Sequence, residues 1–506
     1  MSPSIDKNTR VAVIGAGSMG GGIAQLAAQN GHAVMLFDAQ AGAAAKAIER
    51  IAADLDGAVQ RGKLDAHERA ATLERITAVD RVEALEGCGI AVEAIVEKLE
   101  PKQALFRALE AVLAPDAVLA TNTSSISITA VAQGLKAPQR VIGWHFFNPP
   151  TRMKLVEIIP GVETDPALVT ALHTLSQAWG KASVDAPNAP GFIVNRVARP
   201  YYAEGLRLRA ERIAEIAAID RLQREAGGFA LGPFELMDLI GIDVNLSVTE
   251  SVFQATAYDP RYAPHVIQQE MVRSGRFGRK SGRGFYTYGA QAAKPSAPGI
   301  TPAQSAPQLR VAADMGLLAP WVDRLRTAGA SVLRDERLPA ETASIGEVRV
   351  ALTDGRTAAE RAANHKAGML LLDLARDFST TTVLGAAASA NAAGKLPDLA
   401  ALCAAAQLEL IALDDVAGLV VMRTVCCLAN EAADVMTWTG TRAADIDIAM
   451  RLGTAYPIGP LAWADAIGAA RVSAVLANLQ AHYGEVRYRR APLLSRLTHA
   501  NGSFHG

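Results

Sequence analysis

His145 and Glu157 are the two residues in this chain whose types and spacing most directly suggest chemistry. The histidine ends an apolar run and the carboxylate lies inside the next, with Pro149-Pro150 between them. A neutral imidazole can take a proton from an alcohol near neutral pH. A carboxylate on its other ring nitrogen would fix the tautomer and balance the imidazolium that forms. Taken alone, a histidine on an apolar strand is more often a hydrogen-bonded structural residue than a base. The remaining elements of the chain have to decide between the two readings.

The first 40 residues supply what an alcohol dehydrogenase would need beside such a base. Val11-Ala12-Val13-Ile14 reads as a strand and runs into Gly15-Ala16-Gly17-Ser18-Met19-Gly20. A helical pattern from Gly22 to Gly31 follows, then a second strand, Ala33 to Phe37, which ends at Asp38. Strand, glycine turn, helix, strand and acid is the dinucleotide arrangement: the turn lets a pyrophosphate approach the backbone at a helix N-terminus. Asp38 falls 23 positions after Gly15, where an acid would bind the ribose 2′-hydroxyl. Ala39 and Gln40 follow it rather than arginine, so NAD is expected over NADP. A flavin-binding version is the remaining alternative.

Further strands fit residues 89–95, 118–122 and 141–145, so the N-terminal part reads as a mostly parallel α/β sheet. Pro187, Pro190 and Gly191 mark a boundary, and the pattern is helical for about a hundred residues afterwards. Residues 289–309, with Pro295, Pro298, Pro302 and Pro307, read as a linker. Strands and helices alternate again to 417, without a glycine-rich phosphate loop. The expected division is a Rossmann NAD-binding domain at 1–187, an all-α domain at 188–288, the linker, a cofactor-free Rossmann-like α/β domain at 310–415 and a degenerate repeat of the all-α domain at 416–506.

The repeat is visible residue by residue. Gly191 to Arg196 aligns with Gly418 to Arg423, and Gly232-Pro233 and Asp238 align with Gly459-Pro460 and Asp465, each pair 227 positions apart. Glu204 and Glu431, and Asp220 and Asp447, keep the same offset. A constant offset over about fifty residues indicates a duplicated unit. Asn195 becomes Met422 in the second copy, and the Gly-Arg-Lys-Ser-Gly segment after Phe277 has no counterpart there, so the second copy reads as structural.

Composition narrows the function classes. Fifty Lys and Arg against 51 Asp and Glu give a net charge of −1, which offers no footprint for nucleic acid or an anionic membrane. No apolar run approaches the roughly 18 residues of a membrane span. The polar stretch Met1 to Arg10 does not read as a signal or transit peptide. Four cysteines without metal-ligand spacing fit a reducing cytoplasm and suggest no metal site.

With these motifs in place, the chain resembles the L-3-hydroxyacyl-CoA dehydrogenase family. The resemblance rests on Gly15 to Gly20, Glu93-Ala94-Ile95-Val96-Glu97, Thr121 to Ser125, His145-Phe146-Phe147-Asn148-Pro149, Pro190 to Arg196, Gly232-Pro233-Phe234-Glu235 and Lys280 to Tyr286, and so covers residues 10 to 288. With its second C-terminal copy, the chain is similar to the long bacterial enzymes that act on 3-hydroxyadipyl-CoA or 3-hydroxybutyryl-CoA. The resemblance implies NAD-dependent oxidation of an acyl-CoA substrate, with His145 as general base, Glu157 as its partner, and Ser124 and Asn195 at the substrate hydroxyl and thioester. It implies cofactor contacts at Gly15, Gly17, Ser18, Met19, Gly20, Asp38, Glu97, Lys102, Asn122 and Lys280. It places Asn148 in support of the histidine, substrate phosphate near Arg61, and the chain in a homodimer. Two other readings stay open on the residues themselves: a dehydrogenase of a free hydroxy acid or sugar acid, and a non-enzymatic structural relative.

Overall fold

The computed structural model describes residues 5–289, 292 and 296–506, so part of the expected linker, Pro295 included, lies outside the described residues. The chain forms two compact units, 1–196 with 448–454, and 197–447 with 455–506.

The first unit is built on eight strands: β1 (Val11–Ile14), β2 (Val34–Phe37), β3 (Ile76–Val79), β4 (Ile90–Glu93), β5 (Val118–Thr121), β6 (Val141–Phe146), β7 (Leu155–Pro160) and β8 (Ala182–Asp185). Their order is β3-β2-β1-β4-β5-β6-β7-β8, parallel except where β7 runs antiparallel to β6. Strands β1 and β4 to β7 are almost wholly buried because helices cover both faces, while the edge strands β3 and β8 are partly exposed. Strand order reverses between β1 and β4, and in such sheets ligands sit at the carboxyl ends beside that reversal.

Side chains alternate across β6. Trp144 and Phe146 enter the apolar core, their rings 4.7 Å apart, and the Trp144 indole N–H donates to Ser176 Oγ at 2.9 Å. His145 points to the opposite face. The antiparallel register sets His145 directly across from Glu157, so a tight return between β6 and β7 pairs two residues twelve apart in the chain.

The second unit holds both helical copies and a seven-stranded sheet. Its strands are β9 (Leu309–Val311), β10 (Val332–Arg334), β11 (Thr342–Ile345), β12 (Val348–Leu352), β13 (Met369–Leu372), β14 (Val383–Ala388) and β15 (Glu409–Ala412), ordered β10-β9-β11-β12-β13-β14-β15. Within this unit the helix Arg199–Ala210 of the first copy packs on Val421–Thr439 of the second. Contacts across this face are reciprocal. Tyr488 and Arg423 of the second copy donate to Glu204 at 3.1 and 2.6 Å, while Tyr262 and Arg261 of the first donate to Glu431. Arg423 is fully buried and also reaches Glu211, so its charge is balanced where it is desolvated.

The duplication extends to hydrogen bonds. Asp220 accepts from the backbone N–H groups of Phe234 and Glu235, and Asp447, 227 positions on, accepts from Leu461 and Ala462. A Cβ on Gly232 or Gly459 would lie 2.2 Å or 2.0 Å from the respective aspartate, which explains the glycine in both copies. Asp238 accepts from Phe285 N–H, and its counterpart Asp465 accepts from Phe504 N–H. The segment that closes the first copy therefore does have a structural counterpart at the end of the chain, although the Gly-Arg-Lys-Ser-Gly sequence itself is missing there.

The repeat also reaches back into the sheets. β13 and β14 are antiparallel and β14 and β15 parallel, as are β6 and β7, and β7 and β8. In matching register Asp373 takes the place of His145 and Gly385 that of Glu157, each 228 positions on. Asp373 accepts from Val420 and Val421 N–H, the counterparts of Ile193 and Val194, whose N–H groups Glu157 accepts in the first unit. The second sheet thus keeps the carboxylate that holds the start of the helical copy and lacks the imidazole.

Candidate active site

The glycine turn after β1 is shaped by three different demands. Gly15 has φ +104°, and a Cβ there would lie 2.4 Å from the Ala94 carbonyl oxygen. A Cβ on Gly20 would lie 1.7 Å from the Gly15 carbonyl oxygen, so only glycine lets the helix Ser18–Gln29 start this close to the turn. A Cβ on Gly17 would meet no protein atom within 4 Å. The first and third glycines serve the protein, while the second leaves open backbone at a helix N-terminus, which is what an approaching pyrophosphate needs. The residues present therefore fit a dinucleotide.

Asp38 ends β2 with one carboxylate oxygen on Ala16 N–H at 2.6 Å and the other on Gln40 N–H at 2.8 Å, so it braces the turn. Met19 and Ser18 open the helix; Ser18 Oγ lies 3.4 Å from Asn148 Oδ1, which ties the turn to the loop after His145. A cleft of about 720 Å³ beside the turn is walled by Gly17, Ser18, Arg50, Asp54, Pro149 and Arg152. Arg50 anchors there by donating to the Ala16 carbonyl at 2.7 Å. Arg61 sits exposed at the end of the helix Ala43–Gln60 and is not one of the cleft's lining residues. Arg50 and Arg152 are the basic side chains that line the cleft.

His145 Nδ1 lies 2.7 Å from Glu157 Oε2, with the histidine 6 % and the glutamate 0 % exposed. Glu157 Oε1 accepts from the Ile193 and Val194 N–H groups, both at 3.0 Å. With its Nδ1 hydrogen on Glu157, His145 offers the Nε2 lone pair as a base. Phe147 and Phe192 flank the ring, with centroids 4.6 and 5.9 Å away.

Asn122, after β5, accepts from Phe146 N–H through Oδ1 at 2.7 Å and so holds the strand at the histidine. Asn195 Nδ2 donates to the Ser124 carbonyl at 3.3 Å. Ser124 also donates through its hydroxyl to Glu97 Oε1 at 3.1 Å. Lys102 is 1 % exposed and stands between Glu93 (2.6 Å) and Glu97 (3.2 Å). Burial pushes the Glu97 carboxyl up, but the Lys102 charge and the hydrogen bonds from Thr123 and Ser124 outweigh it and hold the group below the usual range. Lys280 belongs to the second unit, where its ammonium pairs with Asp243 at 2.7 Å.

The structure thus gathers the glycine turn, Asp38, Glu97, Lys102, Asn122, Ser124, His145, Asn148, Glu157 and Asn195 into one unit, most of them at the carboxyl ends of β1, β4, β5 and β6. Sequence reasoning passed over Glu93. Its signal was an acid closing the otherwise apolar strand Ile90-Ala91-Val92-Glu93.

Comparison with known proteins agrees with this geometry. The description "3-hydroxyacyl-CoA dehydrogenase, NAD binding domain" matches residues 10–189, and "3-hydroxyacyl-CoA dehydrogenase, C-terminal domain" matches 191–288 and again 418–503. Residues 350–416 match the "3-hydroxybutyryl-CoA dehydrogenase reduced Rossmann-fold domain". The 3-hydroxyadipyl-CoA dehydrogenase of Escherichia coli (strain K12) is 41% identical over 489 residues, 96% of either chain. A probable 3-hydroxybutyryl-CoA dehydrogenase of Bacillus subtilis (strain 168) is 37% identical over 279 residues, 55% of this chain and 97% of its own. The crystal structure of 3-hydroxybutyryl-CoA dehydrogenase from Escherichia coli K12 superposes with a TM-score of 0.89 at 39% identity, covering 97% of this chain and 98% of that one.

Proposed function

Because the chain belongs to the 3-hydroxyacyl-CoA dehydrogenase family, we propose that it oxidises an L-3-hydroxyacyl-CoA to the 3-oxoacyl-CoA, with 3-hydroxyadipyl-CoA favoured over 3-hydroxybutyryl-CoA. The observation that carries the reaction class is the buried His145–Glu157 contact in the unit that also bears the dinucleotide turn. The adipyl preference is supported by the relative of that name, which matches along nearly the whole chain.

His145 Nε2 takes the proton of the substrate hydroxyl as the carbinol carbon is oxidised. Glu157, fixed by two backbone N–H groups, holds the ring and balances the imidazolium that results. Gly15, Gly17, Ser18, Met19, Gly20 and Asp38 would hold the adenosine and pyrophosphate side of NAD, which would supply the hydride acceptor for C3. Glu97, Lys102 and Asn122 would stand near its nicotinamide ribose, with Lys280 as a further contact. Ser124 and Asn195 position the hydroxyl and thioester, which restricts the bound substrate to reactive geometries. Asn148 supports the loop that carries the histidine, and the substrate phosphates are assigned to Arg61, just past the helix Ala43–Gln60.

The domain limits proposed are 1–187, 188–288, 310–415 and 416–506, joined by the 289–309 linker. The assembly is proposed as a cytoplasmic homodimer; sedimentation separates this from a 53.1 kDa monomer. The chemistry is tested by NADH absorbance with NAD and a panel of 3-hydroxybutyryl-, 3-hydroxyhexanoyl- and 3-hydroxyadipyl-CoA against free hydroxy acids. The expected result is the highest kcat/KM for 3-hydroxyadipyl-CoA. Turnover of free acids alone would reverse the reading.

A further inference from the structure

We propose that Glu93 is a positioning residue for this dehydrogenation, acting through Lys102 and Glu97 on the hydroxyl of Ser124. The proposal rests on the reading of Ser124 as a substrate contact.

Glu93 is 0 % exposed at the carboxyl end of β4. Oε1 accepts from Lys102 Nζ at 2.6 Å and from Ile95 N–H at 2.7 Å, while Oε2 accepts from Thr121 Oγ1 at 2.6 Å. The carboxylate is thus tied to the neighbouring strand β5, to the loop after its own strand and to the helix Leu99–Val112 that carries Lys102. The Lys102 ammonium, placed by Glu93, reaches Glu97 Oε2 at 3.2 Å. That leaves Glu97 Oε1 for the Thr123-Ser124-Ser125 turn. It accepts from the three hydroxyls at 2.7, 3.1 and 3.2 Å and from the Ser124 and Ser125 N–H groups at 2.7 and 3.1 Å.

A serine hydroxyl has one hydrogen to donate. Ser124 Oγ lies 3.1 Å from Glu97 Oε1, an oxygen that Thr123, Ser125 and two backbone N–H groups also face, so the carboxylate fixes the place of the hydroxyl. The substrate hydroxyl gives its own hydrogen to His145 Nε2, so Ser124 serves it from that fixed place by donating to its oxygen. If Glu97 turned away, the Ser124 hydroxyl would lose that place.

The alternative is a buried ion pair that only joins a strand to a helix. Folding does not need charge for that purpose, because well-packed apolar side chains join buried elements at lower desolvation cost. What the charged pair adds is a fixed ammonium at Glu97.

The test is a double-mutant cycle in the full-length protein, with 3-hydroxyadipyl-CoA and NAD as substrates. Glu93→Gln should lower kcat by about tenfold or more, as misplaced catalytic geometry does, with the thermal transition of the folded protein kept. In a Ser124→Ala background the same substitution should cost less than about twofold, because the group it positions is gone. Equal losses in both backgrounds would show that Glu93 does not act through Ser124 and would overturn the proposal. If Glu93→Gln does not fold, Thr121→Val removes one hydrogen bond to Glu93 with the shape kept, and the same cycle decides. The two readings fail differently: an unreactive wild-type protein, or a Ser124→Ala variant with full kcat, would overturn the functional reading, whereas additivity in an active enzyme overturns only this inference.

Discussion

The buried histidine is useful only because each of its neighbours restricts it. Glu157 takes the Nδ1 side at 2.7 Å, and Asn122 pins the adjoining backbone at 2.7 Å. His145→Gln should therefore lower kcat at least about a hundredfold, the usual weight of a general base, with NADH binding kept in a fluorescence titration. Retained turnover would remove the base assignment. Glu157→Gln keeps the shape and one hydrogen bond but loses the charge, so kcat should fall while the thermal transition survives. An unchanged rate would reduce Glu157 to a structural role.

The elements supply the precision that single residues lack. In the turn after β1, Gly17→Ala places a methyl in open space, so the folded protein should keep its Tm without ligand while NADH affinity falls. Gly20→Ala puts the methyl against the Gly15 carbonyl, so Tm itself should drop. Measuring both Tm and NADH affinity for each variant separates the roles; a Gly20→Ala variant of normal Tm would contradict the packing argument. The two sheets offer a second contrast. Asp373 accepts four backbone N–H groups where no imidazole exists, so Asp373→Ala should cost about 1–3 kcal/mol for each donor left unpaired and buried. Denaturant unfolding should register that loss, while kcat per folded molecule stays level.

At the scale of the whole molecule, duplication divides the work. Only the first half carries the dyad, the open glycine turn and Asn195. The second half repeats the carboxylate anchors Asp373, Asp447 and Asp465 and covers the helix Arg199–Ala210 of the first copy. Segment 1–290 expressed alone should expose Glu204 and the helix face that Arg423, Tyr488 and Val421–Thr439 bury. It should self-associate or lose thermal stability, as exposed apolar faces do. A stable, monomeric and active segment would show that the second half is not needed for support. No helix among the described residues is long and apolar enough to cross a membrane.

The sequence by itself determined the dinucleotide turn, the histidine and its carboxylate, and the repeat, because these depend on residue types at fixed spacing along the chain. Gly15 and Gly20 are legible since no other residue meets their steric demands, Gly17 because an approaching pyrophosphate needs its open backbone, and the constant offset of 227 needs no coordinates. The tertiary structure supplied the physical reason for the pairing of the histidine with its carboxylate, the β6–β7 register that sets the two side chains opposite each other. It alone showed that Asp373 and Gly385 stand where the dyad would be, and that Phe504 closes the second copy as Phe285 closes the first. Those relations run through backbone N–H groups, which leave no mark on side-chain type. Glu93 lay between the two cases: an acid at the end of an apolar strand is visible in sequence, but the chain from it through Lys102 to Ser124 exists only once β4, β5 and the helix Leu99–Val112 are folded together. The opening pair, His145 and Glu157, is in the end one hydrogen bond set by an antiparallel register.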